Sequence, residues 1–499
     1  MTRDEGHLGI GDRLAEGPAP ELIRSAFALE TSYGPLLYHG MSLADLAHTV
    51  MLIEAKIVSP QIGARLLGAL LELHAIPAHE FPFDPGRGDA YTNREYALRQ
   101  RATDAADWLQ AGRARRESST VGYALVVRAG LLDVVEALLG ALRALLDRAA
   151  EHMDTLMPDY TYLQTAQPTT LAHYLLTFAQ PITRDLARLR AAFDNANRSP
   201  AGIGSTNGSR LPLDRARLAA LLGFQGLTLH TRDAMWQPDA PIEVAAALTA
   251  MLINADRLAE DLQIWATAEF DYVEPADRHS RVSVIMPQKK NPYGLAFVRG
   301  AARDMIGKLA STAALQATPS GQVDNRIFIY GAIPQALAQA ALALRLLAAI
   351  VADLAVHTDA LRERAWQEHS GATDLAEAIM LSCGLSPRAA HRIVGRAVRL
   401  AQSAGHTIDA GLLDAAALEV IKRPLSLSDR FIADRLDPRQ IVDSRTTTGG
   451  AAAQAVRPMI AAFSAIAVGY HDWLKEQQGR LAAAEQVLIE QAEILCQSI

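Results

Sequence analysis

The sequence predicts an all-α protein organised around a bundle of unusually long helices, and three observations carry that prediction. Alanine and leucine dominate the 499 residues, while β-branched runs alternating with period two are scarce. Apolar residues recur at helical spacing through most of the chain. Several of these periodic stretches also run far beyond the roughly three turns of an average helix.

In chain order, Met1 to Gly17 mixes Arg3, Asp4, Glu5, Asp12 and Arg13 with glycines, a pattern of neither a signal peptide nor a targeting helix. Shorter helices are predicted up to about residue 117, with a Pro-, Gly- and Asp-rich loop at His79 to Thr92, so that 1–117 forms an N-terminal helical domain. Thr120 to Met153 is the first long helix. Thr170 to Asn195 carries Pro181 inside its pattern and is expected to bend there. In Pro241 to Phe270, Val244, Leu248, Leu252, Ala255, Leu258, Leu262 and Trp265 form one stripe. Ile242, Ala246, Ile253 and Ile264 widen it, which predicts burial on several sides. Asn291 to Leu315 opens with Pro292 in its first turn, where the missing donor costs nothing. Pro334 to Val356 completes the set, and 118–366 is the central long-helix bundle domain. Beyond Trp366 shorter helices resume, with Ser386-Pro387 as cap and first-turn proline before Arg388 to Ala404, and 367–499 is the C-terminal helical domain.

Bulk properties exclude several function classes. A formal charge of −7 argues against nucleic-acid binding, which calls for a basic face. The apolar stretch Ile333 to Leu354 is broken by Pro334, Gln335, Gln339, Arg345 and Asp353, short of the roughly 18 clean apolar residues of a membrane span, so no membrane association is expected. Cys383 and Cys496 are too few for a disulfide framework and sit in no metal spacing, which suits a reducing cytoplasm. No HExxH or Asp-Asp-x-x-Asp motif is present, so neither zinc hydrolysis nor metal-dependent isoprenoid chemistry is expected. The glycines flanking Ile203 read as a backbone turn, and His173 as a core or interface histidine.

The most informative stretch is Ser280-Arg281-Val282-Ser283-Val284-Ile285-Met286-Pro287-Gln288-Lys289-Lys290-Asn291-Pro292. It sets hydroxyls, two ammonium groups and an amide just ahead of a helix, whose unpaired N–H groups and dipole favour an anion beside Asn291. This is carboxylate-binding chemistry. The run Ser283 to Pro292 resembles the signature loop of the aspartase/fumarase superfamily, and Met-Pro-Gln-Lys-Lys-Asn-Pro is the form found in its argininosuccinate lyase branch. The resemblance extends to Thr161, Gln164, Ala166-Gln167-Pro168 and His173, to Gly202, Gly204 and Gly208, and to Leu258-Ala259-Glu260-Asp261-Leu262. It continues through Ala372-Thr373-Asp374-Leu375-Ala376 and His391 to Val398, covering most of the chain after about residue 20.

The resemblance implies a three-domain fold whose bundle forms the core of a homotetramer, with active sites assembled from several subunits and no cofactor or metal. It implies β-elimination from an N-substituted aspartate, a dicarboxylate or tricarboxylate, releasing fumarate and an amine, or the reverse addition. Ser283 would be the base that removes a proton beside a carboxylate, assisted by Lys289, because an unaided hydroxyl is a poor base near neutrality. Fixed cations and backbone donors would stabilise the resulting dianion. Asn291 and Thr161 would hold the succinyl carboxylates. Arg113, Arg115, Arg116, Tyr162, Gln164, Lys290, Asp89 and Tyr91 complete the expected substrate-binding set.

The chain departs from that branch in four places. Its Gly-Arg-Ser-Arg-Asn-Asp-Gln becomes Gly112-Arg113-Ala114-Arg115-Arg116-Glu117-Ser118, replacing a hydrogen-bonding pair with Ala114 and a cation, Arg116. Two family histidines fall on Tyr162 and Tyr91; tyrosine, with an ordinary pKa near about 10, donates a proton far more readily than it accepts one. The run that grips the arginine end of the family's substrate is replaced by Thr318 to Arg326, and a further family arginine falls on Pro238. Losing such polar contacts costs about 1 to 3 kcal/mol each, so the expected substrate keeps the succinyl half and changes the amine half. Arg116 points to an acidic amine half, such as another amino acid or a second succinyl group. The alternatives are argininosuccinate lyase activity proper, and a catalytically silent structural paralogue of the kind the lens crystallins represent.

Overall fold

Capping chemistry sets the helix starts in the first third of the chain, where α1 (Gly34–Glu54), α2 (Pro60–His74) and α3 (Ala90–Ala102) pack together. Ser59 accepts the Ile62 N–H ahead of Pro60, and Asp89 accepts the Thr92 N–H at 2.8 Å, each satisfying an orphan donor of a first turn. The structure, a computed structural model, describes residues 13–321, 324–367 and 369–497. The reading of the first twelve residues, and of Gln322 and Val323 within the substituted run, lies outside the described residues.

The bundle follows: α4 (Arg115–Glu151), the hairpin β1 (Leu156–Thr161) and β2 (Gln164–Thr170), α5 (Leu171–Ala196) and α6 (Asp239–Trp265). Next come β3 (Val273–Glu274), β4 (Arg281–Val282), β5 (Lys290–Asn291), α7 (Tyr293–Gln316), α8 (Asp324–Ala352) and β6 (Ala355–Val356). β4 pairs antiparallel with β5, and β3 with β6. The five long helices enclose one continuous apolar core. Contacts of Thr120 with Tyr330, Asp133 with Arg345 and Arg148 with Leu354 show that α4 and α8 run in the same direction. α5 and α7 return between them.

Two expectations need correction. α8 begins at Asp324, with Pro334 inside it rather than at its start. Ile329 and Tyr330 before the proline and Ala336 and Leu337 after it are all buried in the same core, and that packing outweighs one lost backbone bond. The tail beyond α9 (Ala372–Cys383), α10 (Pro387–Ala404) and α11 (Ala410–Ile421) is not all short helices, because α12 (Ala453–Gln497) is 45 residues long. Its buried positions, such as Val456, Phe463, Trp473 and Leu488, are widely spaced, and Ile466, Val468 and Val487 between them are exposed. α9 to α11 share a core of their own, whereas α12 packs along α4, α5, α1 and α2.

Gly34–Glu54 and Arg326–Ala352 are long and apolar enough to cross a membrane by length and composition, but the apolar window of the first is 83% buried in the protein. The window of the second is 50% buried, its inner face lying in the bundle core.

Candidate active site

The first turn of α4 carries Arg115 and Arg116 at one end of the bundle, and the residues around it divide into buried supports and accessible groups. Asp45, only 1% exposed, accepts from Arg113 at 2.8 Å, from Arg94 at 3.1 Å and from Ser118 at 3.0 Å. Tyr91 is equally buried; its hydroxyl accepts from Arg113 at 3.0 Å and Gln110 at 2.9 Å, and burial pushes the phenol well above its ordinary value. Asp89 caps α3 and lies 3.4 Å from Arg115. Arg113, Tyr91 and Asp89, expected to touch substrate, are each bonded to protein partners and nearly buried within this chain. Arg115 remains 45% exposed. Arg116 also differs from expectation: Glu30 grips it at 2.7 and 3.3 Å, so its charge is already neutralised within the chain.

Glu117, one residue on, accepts N–H groups from Gly202 at 2.6 Å, Ile203 at 3.2 Å and Gly204 at 3.1 Å. Burial pushes this carboxyl up, against the opposing pull of Arg113 and the three donors. Gly204 has φ +61°, and a Cβ there would lie 2.5 Å from the Gly208 carbonyl oxygen, so the turn requires glycine. The expected backbone turn is a clamp on the start of α4.

The other expected residues stand at the opposite end. Tyr162 and Leu163 form the two-residue tip of the β1–β2 hairpin, both with positive φ (53° and 57°), a conformation that costs energy for bulky side chains. Tyr162 is 99% exposed, so within this chain it is not a packed aromatic; Thr161 and Gln164 flank it and are exposed too. In the loop between β4 and β5, Ser283 Oγ accepts from the Met286 N–H at 3.2 Å, and the Ser283 N–H donates to the Lys289 carbonyl at 3.3 Å. The backbones of the serine and the lysine therefore close one small turn. Val284, 97% exposed, and Ile285 project from it into solvent. Lys290 Nζ lies 2.7 Å from both Glu274 and Asp277, whose hydrogen bonds hold the ammonium above its usual pKa. Asn291 donates its amide to the Arg281 carbonyl at 3.0 Å. His173 bonds Thr169 and the Gly449 carbonyl, tying the start of α5 to the segment before α12.

α4 spans 37 residues, about 55 Å at the helical rise. Arg115 stands at its start, while the hairpin and the Ser283 loop stand beyond its end. One chain thus brings Thr161, Tyr162 and Gln164 to the same end as Ser283, Lys289 and Asn291, and separates all of them from Arg115 and Arg116. Near the arginine end, a pocket of about 310 Å³ is lined by His230, Arg232, Asp233, Pro238 and Thr318 to Gly321. Two of the substituted stretches therefore converge on one wall.

Sequence reasoning missed Glu30, Asp45, Glu274 and Asp277, because the pairing of a charge with a partner tens of residues away leaves no local pattern. It also missed His39, His74 and Glu485, whose donor atoms lie within 4.8 Å of one another among the described residues. The His39–Glu485 bond (3.1 Å) raises the histidine and lowers the carboxyl, the signature of an ion pair that ties α12 to α1.

A family profile described as Lyase matches residues 47–307, and one described as Argininosuccinate lyase C-terminal matches 369–443. The argininosuccinate lyase of Methanococcoides burtonii is 32% identical over 453 residues, covering 90% of this chain and 91% of the relative. That of Methanoculleus marisnigri is 33% identical over 454 residues, covering 90% and 92%. Among solved structures, EDDS lyase in complex with formate superposes with a TM-score of 0.86 at 29% identity over 97% of both chains, and a variant of it with bound fumarate matches equally well.

Proposed function

We infer, from the premise that this chain belongs to the argininosuccinate lyase branch of the aspartase/fumarase superfamily and is a fumarate-releasing carbon–nitrogen lyase, that its substrate is an N-substituted aspartate with an acidic amine half. The observation that carries the reading is the pocket where Pro238 and Thr318 to Gly321 meet: its wall holds Arg232, bonded to Ser320 at 2.9 Å, beside a single Asp233. A carboxylate would find a donor in Arg232, whose like charge would disfavour a second guanidinium beside it. Arg115 adds an accessible cation near the same end, but Arg116 does not, since Glu30 holds it. The similarity to EDDS lyase fits an N-substituted aspartate as well.

In this reading Ser283 takes the proton from the carbon beside a succinyl carboxylate. Lys289, bonded to the same turn, lowers the cost of the alkoxide and of the developing dianion. Thr161, Gln164 and Asn291 orient the carboxylates, and elimination then breaks the C–N bond. Because Arg115 starts α4 and Ser283 stands beyond the other end of that helix, which is about 55 Å long, a working centre requires ends contributed by different copies, and a homotetramer is the assembly proposed. The exposed Val284 and Ile285 suit a loop that closes against a neighbouring subunit.

Fumarate release from a panel of N-substituted aspartates tests this. The expected result is turnover of substrates with carboxylated amine halves, with kcat/KM for argininosuccinate lower by at least about 100-fold. Preferred cleavage of argininosuccinate would overturn the acidic-amine reading, and a Ser283→Ala variant as active as wild type would overturn the base.

A further inference from the structure

Between α6 and the Ser283 loop runs a short segment that touches both catalytic elements at this end of the bundle. Tyr272, 2% exposed, packs edge-on against Phe270 and Trp265. Its backbone is fixed by the Trp265 carbonyl at 3.0 Å and the His357 N–H at 2.9 Å. Its hydroxyl meets that of Tyr160, the residue before Thr161 on β1. Two residues further, β3 pairs with β6, so the segment is stitched to the end of the bundle. From it Glu274 and Asp277 both reach Lys290 Nζ at 2.7 Å. Lys290 follows Lys289 directly and pairs with Val282, the neighbour of Ser283, in a ladder only two residue pairs long.

We propose that Tyr272 to Asp277 is a shared anchor that positions both the Thr161 hairpin and the Ser283 loop, with Lys290 acting through Glu274 and Asp277 and not on the substrate. The inference rests on the proposed function for its catalytic consequence. A ladder of two pairs holds a seven-residue turn weakly, and two carboxylates on one ammonium supply the remaining constraint on its base. The hydroxyl pair does the same for the hairpin. Lys290 is then a positioning residue, as are Tyr160, Tyr272, Glu274 and Asp277.

The test uses the full-length assembled enzyme and its best fumarate-releasing substrate. Lys290→Met and the double variant Glu274→Gln/Asp277→Asn should each lower kcat about three- to tenfold with KM nearly unchanged, and the triple variant should be no worse than either. Lys290→Arg should restore activity, because a guanidinium spans both carboxylates. Trypsin should cut after Lys289 or Lys290 faster in the Glu274→Gln/Asp277→Asn variant, a readout independent of catalysis. Tyr160→Phe and Tyr272→Phe should be non-additive in the same way. Additive effects of Lys290→Met and the carboxylate pair, or a rise in KM confined to Lys290→Met, would assign the lysine to the substrate and overturn the proposal. Unchanged tryptic cleavage would overturn the anchor itself. Failure of the proposed chemistry is distinguishable, since it appears as an undiminished Ser283→Ala enzyme whatever trypsin does.

Discussion

Asp45→Asn should destabilise the protein by about 3 to 5 kcal/mol, the cost of breaking a buried ion pair from one side. The carboxylate is 1% exposed and accepts from two guanidiniums, at 2.8 and 3.1 Å, and from the Ser118 hydroxyl at 3.0 Å. Each charged hydrogen bond is worth about 1.5 to 3 kcal/mol. Asparagine keeps one acceptor oxygen but turns two N–H bonds toward a guanidinium, so at least one contact becomes a clash of donors. Arg113 then keeps Glu117 as a neighbouring anion, whereas Arg94 keeps the Ser42 hydroxyl, and both side chains are 2% exposed. Chemical denaturation followed by circular dichroism measures the loss, with the exposed pair Arg362–Asp359 as a control in which replacement changes nothing measurable. A loss below about 1 kcal/mol would show that water enters the cluster, and the assignment of Arg113 as an internal support would fall with it.

Two further outcomes follow from the same end and the opposite one. His48 donates Nε2–H to the Ala111 carbonyl at 3.1 Å, leaves Nδ1 buried without a partner, and is held well below its ordinary value of 6.5 by burial and by Arg113. Its neutral form is the folded one, so its stabilising contribution is complete above pH 6.5 and is lost as the pH falls toward its folded value. Thermal midpoints should drop through that range in the wild type and less steeply in His48→Gln. Tyr162→Gly should stabilise the hairpin by about 1 kcal/mol by relieving a left-handed bulky residue. The same change should lower fumarate release if the ring meets substrate, and equal activity would assign it no role.

The fold class and all five bundle helices were legible because their apolar periodicity is strong, and the Ser283 loop because its residues are contiguous. What was not legible has a common physical origin. Arg116 looks like a free cation in the sequence, and only folding brings Glu30, 86 positions away, against it. Tyr91 and Tyr162 are the same residue type at comparable family positions, yet one is a buried acceptor and the other the tip of a hairpin. α12 escaped notice because its apolar positions serve several neighbours in turn and never form one dense stripe. Pro334 misled because a proline marks a helix start only where packing does not decide otherwise.

The clamp on Glu117 gives the molecule an unequal pair of ends. Three backbone amides grip α4 immediately beyond Arg115 and Arg116, so the turn that carries the arginines is held still. The serine turn, at the opposite end, is held through side chains instead, by two carboxylates on Lys290. One end of the bundle is thereby locked by backbone amides, and the other by exposed charges that salt can loosen.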